Sequence, residues 1–196
     1  MNRMDINWSK TFFMIVTAKH KNKINIPTTI RIGTNDVSVT DEFKLLGVLI
    51  DNKLTFKQHV VNICKNVNRK LFSIKRLAYL PFTVRLQFFK TFILPLFDFC
   101  LSLVCYFTKT QIQRLANCYN ACLFKLFRFD FTYKELDEIN NFLEEYKLFG
   151  FQHRIVLRLS LFSHKIINIP SAPLKLKEQI LFNSDRNIQY NLRQTS

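Results

Sequence analysis

A chain of 196 residues in which 48% of side chains are hydrophobic, including 21 Phe, has enough apolar surface to build a core, and this excludes a disordered tail. Its 3 Gly leave little room for glycine-rich phosphate loops, and no G-x-S-x-G, P-loop or G-x-G-x-x-G pattern occurs. A net charge of +15 calls for a polyanionic partner, nucleic acid before an anionic membrane.

The charge is unevenly placed. From Asn52 to Phe129 there are 13 Lys or Arg against one acid, Asp98, so this segment alone carries +12. From Asp130 to Glu145 the sign reverses, with six acids against Lys134. The abundance of Phe, Ile, Asn and Lys is also what an AT-rich coding sequence yields, so composition by itself is not read as function.

In chain order, residues 1–51 read as β. Thr11 to Val16 (TFFMIV) is rich in aromatic and β-branched residues and predicts a strand. Thr28 to Val39 holds two short runs around Gly33-Thr34-Asn35-Asp36, a hairpin signal. Phe43 to Ile50 (FKLLGVLI) predicts a further strand, in which Gly47 marks a bulge or a close backbone approach. The period then becomes helical. Phe56, Val60, Ile63, Val67, Leu71, Ile74 and Ala78 form one apolar stripe, and Thr55 with Gln58 fits a capping box. The other faces of that helix carry Lys57, Lys65, Arg69, Lys70, Lys75 and Arg76. Leu80-Pro81 ends it.

A second helix is expected from about Phe82 towards Ile93, with a bend or restart near Pro95. Phe88 to Phe107 has the length of a membrane span, but Lys90, Pro95 and Asp98 break it, and a buried helix pair is the expectation. A third helix runs from about Thr110 to Phe127 on Ile112, Leu115, Tyr119, Cys122 and Leu126. Thr132 with Glu135 repeats the capping box and opens a short acidic helix. A last helix spans about Phe149 to Asn168 on Phe151, Ile155, Leu159, Phe162 and Ile166, and beyond Pro170 the chain is polar and frayed.

Signals for chemistry are sparse. His20, His59, His153 and His164 sit in no nucleophile context, and no Asp-Asp pair exists. Asp41-Glu42 and Asp137-Glu138 are read as solvated surface acids. Cys64, Cys100, Cys105, Cys118 and Cys122 are odd in number and follow no secretory signal; MNRMDINWSKTFFMIV has too short an apolar run and no cleavage site. They are read as buried small hydrophobes in a reducing compartment, nucleus or cytoplasm, of a protein that is not secreted, with no metal site. On residues alone the fold class is α+β: short N-terminal antiparallel strands, then a mainly helical basic module that binds a phosphate backbone.

FKLLGVLIDNKLTFKQHV (Phe43 to Val60) resembles the segment joining palm to thumb in reverse transcriptases of non-LTR retrotransposons of the jockey type. VNICKNVNRKLFSIKRL, LPFTVRLQFFKTFILPLFDFC and IQRLANCYNACLFKLFR follow in that family's order, and INWSKTFFMIV resembles the strand after its catalytic strand. The resemblance covers roughly Ile6 to Arg128 and, more weakly, FQHRIVLRLSLFSHKI. It implies three parts: a palm remnant with its primer-grip strand at 1–51, a basic helical thumb at 52–129, and post-thumb helices with a tail at 130–196. FKLLGV would be the primer grip, with Phe43, Lys44, Leu46 and Gly47 as nucleic-acid contacts and Gly47 letting backbone approach sugar and phosphate. Lys10 would be the cation near the departing pyrophosphate. Lys57, Lys65, Arg69, Lys70, Lys75 and Arg76 would contact phosphates of a hybrid recognised by shape.

The family's metal-binding carboxylates belong to an aromatic-x-Asp-Asp strand that would precede Met1. The resemblance therefore implies an inactive fragment of an RNA-directed DNA polymerase, with palm and fingers missing upstream. It has no catalytic residue or metal ligand of its own, and no cofactor; Mg²⁺ is expected only for the full-length enzyme. RNA, DNA or their hybrid would be the partner, and no membrane. The alternative is a stand-alone basic nucleic-acid-binding module without polymerase ancestry.

Overall fold

The computed structural model describes residues 6–17, 27–76, 79–99, 101–127 and 143–178, the side chains of Ile74, Lys75, Phe127, Leu176 and Glu178 excepted. Its N-terminal part contains two antiparallel hairpins. In the first, β1 (Thr29–Ile32) pairs with β2 (Asn35–Ser38) with Ile32 opposite Asn35. Gly33 lies at φ +63 as the first of two turn residues, the φ pattern of a type II′ turn. In the second, β3 (Glu42–Leu45) pairs with β4 (Val48–Asp51), with Leu45 opposite Val48.

The second hairpin corrects the reading of Phe43 to Ile50 as one strand with a bulge. Leu46 and Gly47 take φ +47 and +93, the positive pair of a type I′ turn, so the chain reverses there. Thr11 to Val16 is also not a strand. A 3-10 turn, Trp8–Lys10, precedes it, and Phe13 makes one isolated parallel bridge to Val39. Phe13 N–H donates to Ser38 O at 3.0 Å, Thr40 N–H to Phe13 O at 2.9 Å, and Thr17 N–H to Asn52 O at 2.9 Å. β-rich composition draws the segment alongside the hairpins, but four-residue strands offer too short an edge for a ladder.

The helical part is built on α1 (Lys57–Arg76), α2 (Phe82–Phe88), a π-helical segment (Phe89–Ile93), α3 (Leu94–Asp98), a 3-10 segment (Leu101–Tyr106) and α4 (Lys109–Phe127). It is completed by α5 (Phe151–Asn168) and α6 (Leu174–Glu178). The expected bend near Pro95 takes the form of the π turn, which widens the helix just before a proline that has no N–H to donate. α6 places a helical turn within the stretch expected to be frayed beyond Pro170, and residues 179–196 lie outside the described residues. The capping box at Thr132 and Glu135 lies outside the described residues.

The core sits between α1, the α2–α3 unit and α4, and is closed by α5. Val60, Ile63, Val67 and Leu71 of α1 meet Phe89, Ile93 and Phe97, and Leu115, Tyr119, Cys122 and Leu126 of α4. Phe97, Tyr119 and Phe151 form a ring cluster with centroids 5.3 to 6.1 Å apart. The apolar residues of the membrane-length stretch therefore supply this core, with Phe89, Ile93, Phe97, Leu101 and Val104 all buried. Among the described residues no helix is long and apolar enough to cross a membrane.

Polar contacts fix the packing. Arg85, buried, donates to Leu126 O at 2.9 Å, capping the last turn of α4. Tyr119 donates to Phe149 O at 2.7 Å and Lys90 to Tyr146 O at 3.1 Å. Only the first half of the α5 stripe is fully used. Phe151 and Ile155 are buried, Leu159 is half-buried, and Phe162 is exposed although Ile166 is buried again.

Candidate nucleic-acid interface

At 3.6 residues per turn, Lys57, Lys65, Arg69 and Arg76 fall within an arc of about 120° on α1, all exposed, while Val60, Ile63, Val67 and Leu71 occupy the opposite side. A single apolar stripe forces this arrangement, because cations that cannot be buried unpaired must share the remaining arc. Lys70 does not join them. It lies about 100° away from Arg69, half-buried, with its ammonium 5.5 Å from the Phe92 ring centroid. The Lys75 side chain lies outside the described residues.

Lys57, Lys65, Arg69 and Arg76 make no ion pair among the described residues. The ion pairs among the described residues join Asp98 to Arg154 and to Arg158. Asp98, the one acid between Asn52 and Phe129, is thus engaged by α5.

The β3–β4 hairpin presents the other candidate residues. Leu46 at its tip is 89% exposed and Lys44 is exposed, but Phe43 turns to the Phe12 ring at 5.9 Å and is half-buried. Phe43 thus holds the hairpin against the N-terminal segment. At Gly47 an added Cβ would lie 3.2 Å from the Phe99 ring, and the φ of +93 already disfavours any other residue. The fold itself therefore calls for glycine here. Lys10 is exposed at the end of the 3-10 turn, and its side chain makes no hydrogen bond or ion pair among the described residues.

Two residues that no motif singled out fix the hairpin to the helix. Asp51, the last residue of β4, accepts hydrogen bonds from the N–H groups of Lys53 (3.1 Å), Thr55 (3.0 Å) and Phe56 (2.7 Å) and from the Thr55 hydroxyl (3.0 Å). Burial works against its charge, but these bonds outweigh it and hold the carboxyl below its ordinary pKa. The Thr55 hydroxyl reaches Lys57 N–H only at 3.4 Å, so the carboxylate is the main anchor of the helix entry. His59, 2% exposed, accepts Leu49 N–H on Nδ1 at 3.4 Å, and burial lowers its pKa. Leu54 and Phe56 take φ +50 and +54 in this junction, with Phe56 buried against Tyr106 and Phe107 and Gln111 donating to Thr55 O at 2.9 Å. The hairpin is thereby set at the start of the basic helix as a fixed unit.

Cys64, Cys118 and Cys122 gather where α1 meets α4. The neighbouring Cys118 thiol and burial push Cys64 well above the ordinary thiol range, and the Cys122 thiol and burial bring Cys118 up to about 11. Both therefore stay protonated as small hydrophobes. Among the described residues no group of three or more His, Cys, Asp or Glu is placed to hold a metal ion. Comparison with protein-family models, curated proteins and solved structures finds no match to this chain.

Proposed function

We propose that this chain is the primer-grip and thumb part of an RNA-directed DNA polymerase of a mobile element, and that it holds primer–template nucleic acid. The observation that supports this reading best is the outer face of α1, on which Lys57, Lys65, Arg69 and Arg76 share one exposed arc and make no ion pair among the described residues. Such a face neutralises phosphates and releases their counterions, which gives affinity without base sequence. An RNA–DNA hybrid would be recognised on it through backbone and shape.

The hairpin supplies the second contact. Leu46 at the tip meets the terminal sugar, and Lys44 a phosphate near the primer end. Asp51 and His59 set the angle between hairpin and helix, so the two contacts act on one duplex. Nucleotidyl transfer needs two metal ions on carboxylates, and the sequence contains no Asp-Asp pair of the kind that the resemblance would supply. No step of that reaction is assigned to this chain, whose role is binding. A stand-alone basic module would use the same α1 face but would have no use for the hairpin tip.

Titration of a labelled RNA–DNA hybrid with a recessed 3′ end tests the reading. Lys65→Glu with Arg69→Glu should weaken binding, and Leu46→Ser should weaken it only when a primer end is present. Binding untouched by the charge reversals would overturn the proposal, and binding that needs the cations but ignores Leu46 would favour the stand-alone module.

A further inference from the structure

The cationic stripe on α1 contains one aromatic side chain. Lys65, Arg69, Phe72 and Arg76 follow at spacings of four, three and four, so they line a single ridge of the helix. Phe72 is 57% exposed, and the Arg76 guanidinium carbon lies 5.1 Å from its ring centroid. The core on the opposite side of α1 does not use it. Along the helix axis Arg69 lies about 4.5 Å before the ring and Arg76 about 6 Å after it. A nucleotide whose base rests on Phe72 would therefore have its phosphates within reach of both cations.

We propose that Phe72 is a stacking platform for an unpaired nucleobase, with Lys65, Arg69 and Arg76 on the phosphates of the same single strand. Charge complementarity selects the occupant: three cations beside an exposed ring, none of them ion-paired among the described residues, fit a polyanion with π faces. Inside a paired duplex each base face is covered by its neighbours and only the end pairs leave one free, so the ring serves a single-stranded segment best, such as a template ahead of or beyond the hybrid. This inference rests on the nucleic-acid-binding reading above and adds to it a preference for unpaired bases.

The test uses the full chain, a single-stranded RNA of about 12 nucleotides, the same sequence as single-stranded DNA, and the blunt RNA–DNA hybrid, with affinities from fluorescence anisotropy. Phe72→Leu keeps apolar bulk without a π face. It should weaken single-strand binding by about 5- to 150-fold and leave the hybrid within about 2-fold. Phe72→Trp should restore the single strand, and its indole emission should be quenched by single strand and not by hybrid. RNA and DNA single strands should respond alike. A Phe72→Leu effect that is absent, or equal on strand and hybrid, overturns the stacking role. If Lys65→Glu with Arg69→Glu weakens both ligands while Phe72→Leu changes neither, only this inference fails. If the unaltered chain binds neither ligand, the proposed function fails with it.

Discussion

Arg154 on α5 donates through Nη2 to both carboxylate oxygens of Asp98 at the end of α3, at 2.5 and 2.6 Å. Arg158 joins the same carboxylate from the solvent side. The Arg154 side chain is 9% exposed and that of Asp98 15%, so neither charge is solvated on its own. Asp98→Asn would leave the guanidinium buried without a counter-charge and should cost about 3 kcal/mol, read from the urea midpoint. Arg158→Ala, at a position 45% exposed, should cost less than about 1 kcal/mol.

The turn of the second hairpin should respond to substitution in opposite directions at its two residues. Gly47→Ala places a Cβ against Phe99 on a backbone at φ +93 and should destabilise by roughly 1–3 kcal/mol. Leu46 takes φ +47 with a side chain that gains nothing from burial, and Leu46→Asn creates the Asn-Gly pair that a type I′ turn favours. It should raise stability by about 0.5–1 kcal/mol. If the tip grips a primer end, the same change should lower affinity for a recessed hybrid.

Two groups at the junction between hairpin and helix make stability depend on acidity. The unfolded chain protonates His59 near pH 6.5, whereas burial holds the folded imidazole neutral to lower pH. Stability is therefore complete above about pH 6.5 and declines as the pH falls towards the folded value. The proton would also displace the Leu49 N–H from Nδ1. Asp51, held below the ordinary carboxyl range, keeps its contribution above about pH 4 and loses it as the pH falls through its own lowered value. Urea midpoints followed from pH 8 to 3 should show both declines, and His59→Gln should remove the upper one.

The helices were legible because one mechanism writes and reads them. A stripe such as Val60, Ile63, Val67, Leu71 must face the core, and the cations are then left outside. The first hairpin was legible for a similar reason, since Gly33 is a local signal. The second turn was not. Leu46 is a poor residue for a positive φ, so Leu46-Gly47 looks like strand; the glycine is explained by its own φ of +93 and by Phe99, far along the chain, against which a Cβ would press. Asp51 and His59 carry no sequence signal because their partners are mostly backbone N–H groups, which leave no mark in a sequence. Lys70 shares its charge with the phosphate contacts, although the 3.6-residue period already turns it about 100° from Arg69; what the sequence does not mark is Phe92 of the π segment, over which it sits.

The proposed part of the polymerase contains no Asp-Asp pair, so on its own it should give no product in a primer-extension assay with Mg²⁺ and a primed RNA template. Extended primer from the purified chain would show a reaction centre that the proposal lacks.

The most direct measurement is the salt dependence of hybrid binding. Each phosphate neutralised by the α1 face contributes about 0.9 to the slope of log affinity against log salt on B-form DNA, and a comparable amount here. Replacing Lys65, Arg69 and Arg76 together by Ala should make that slope shallower by about 3, whereas Lys70→Ala, seated over Phe92, should leave it nearly unchanged. An unaltered slope in the triple variant, or binding by the native chain that does not depend on salt, would contradict the account.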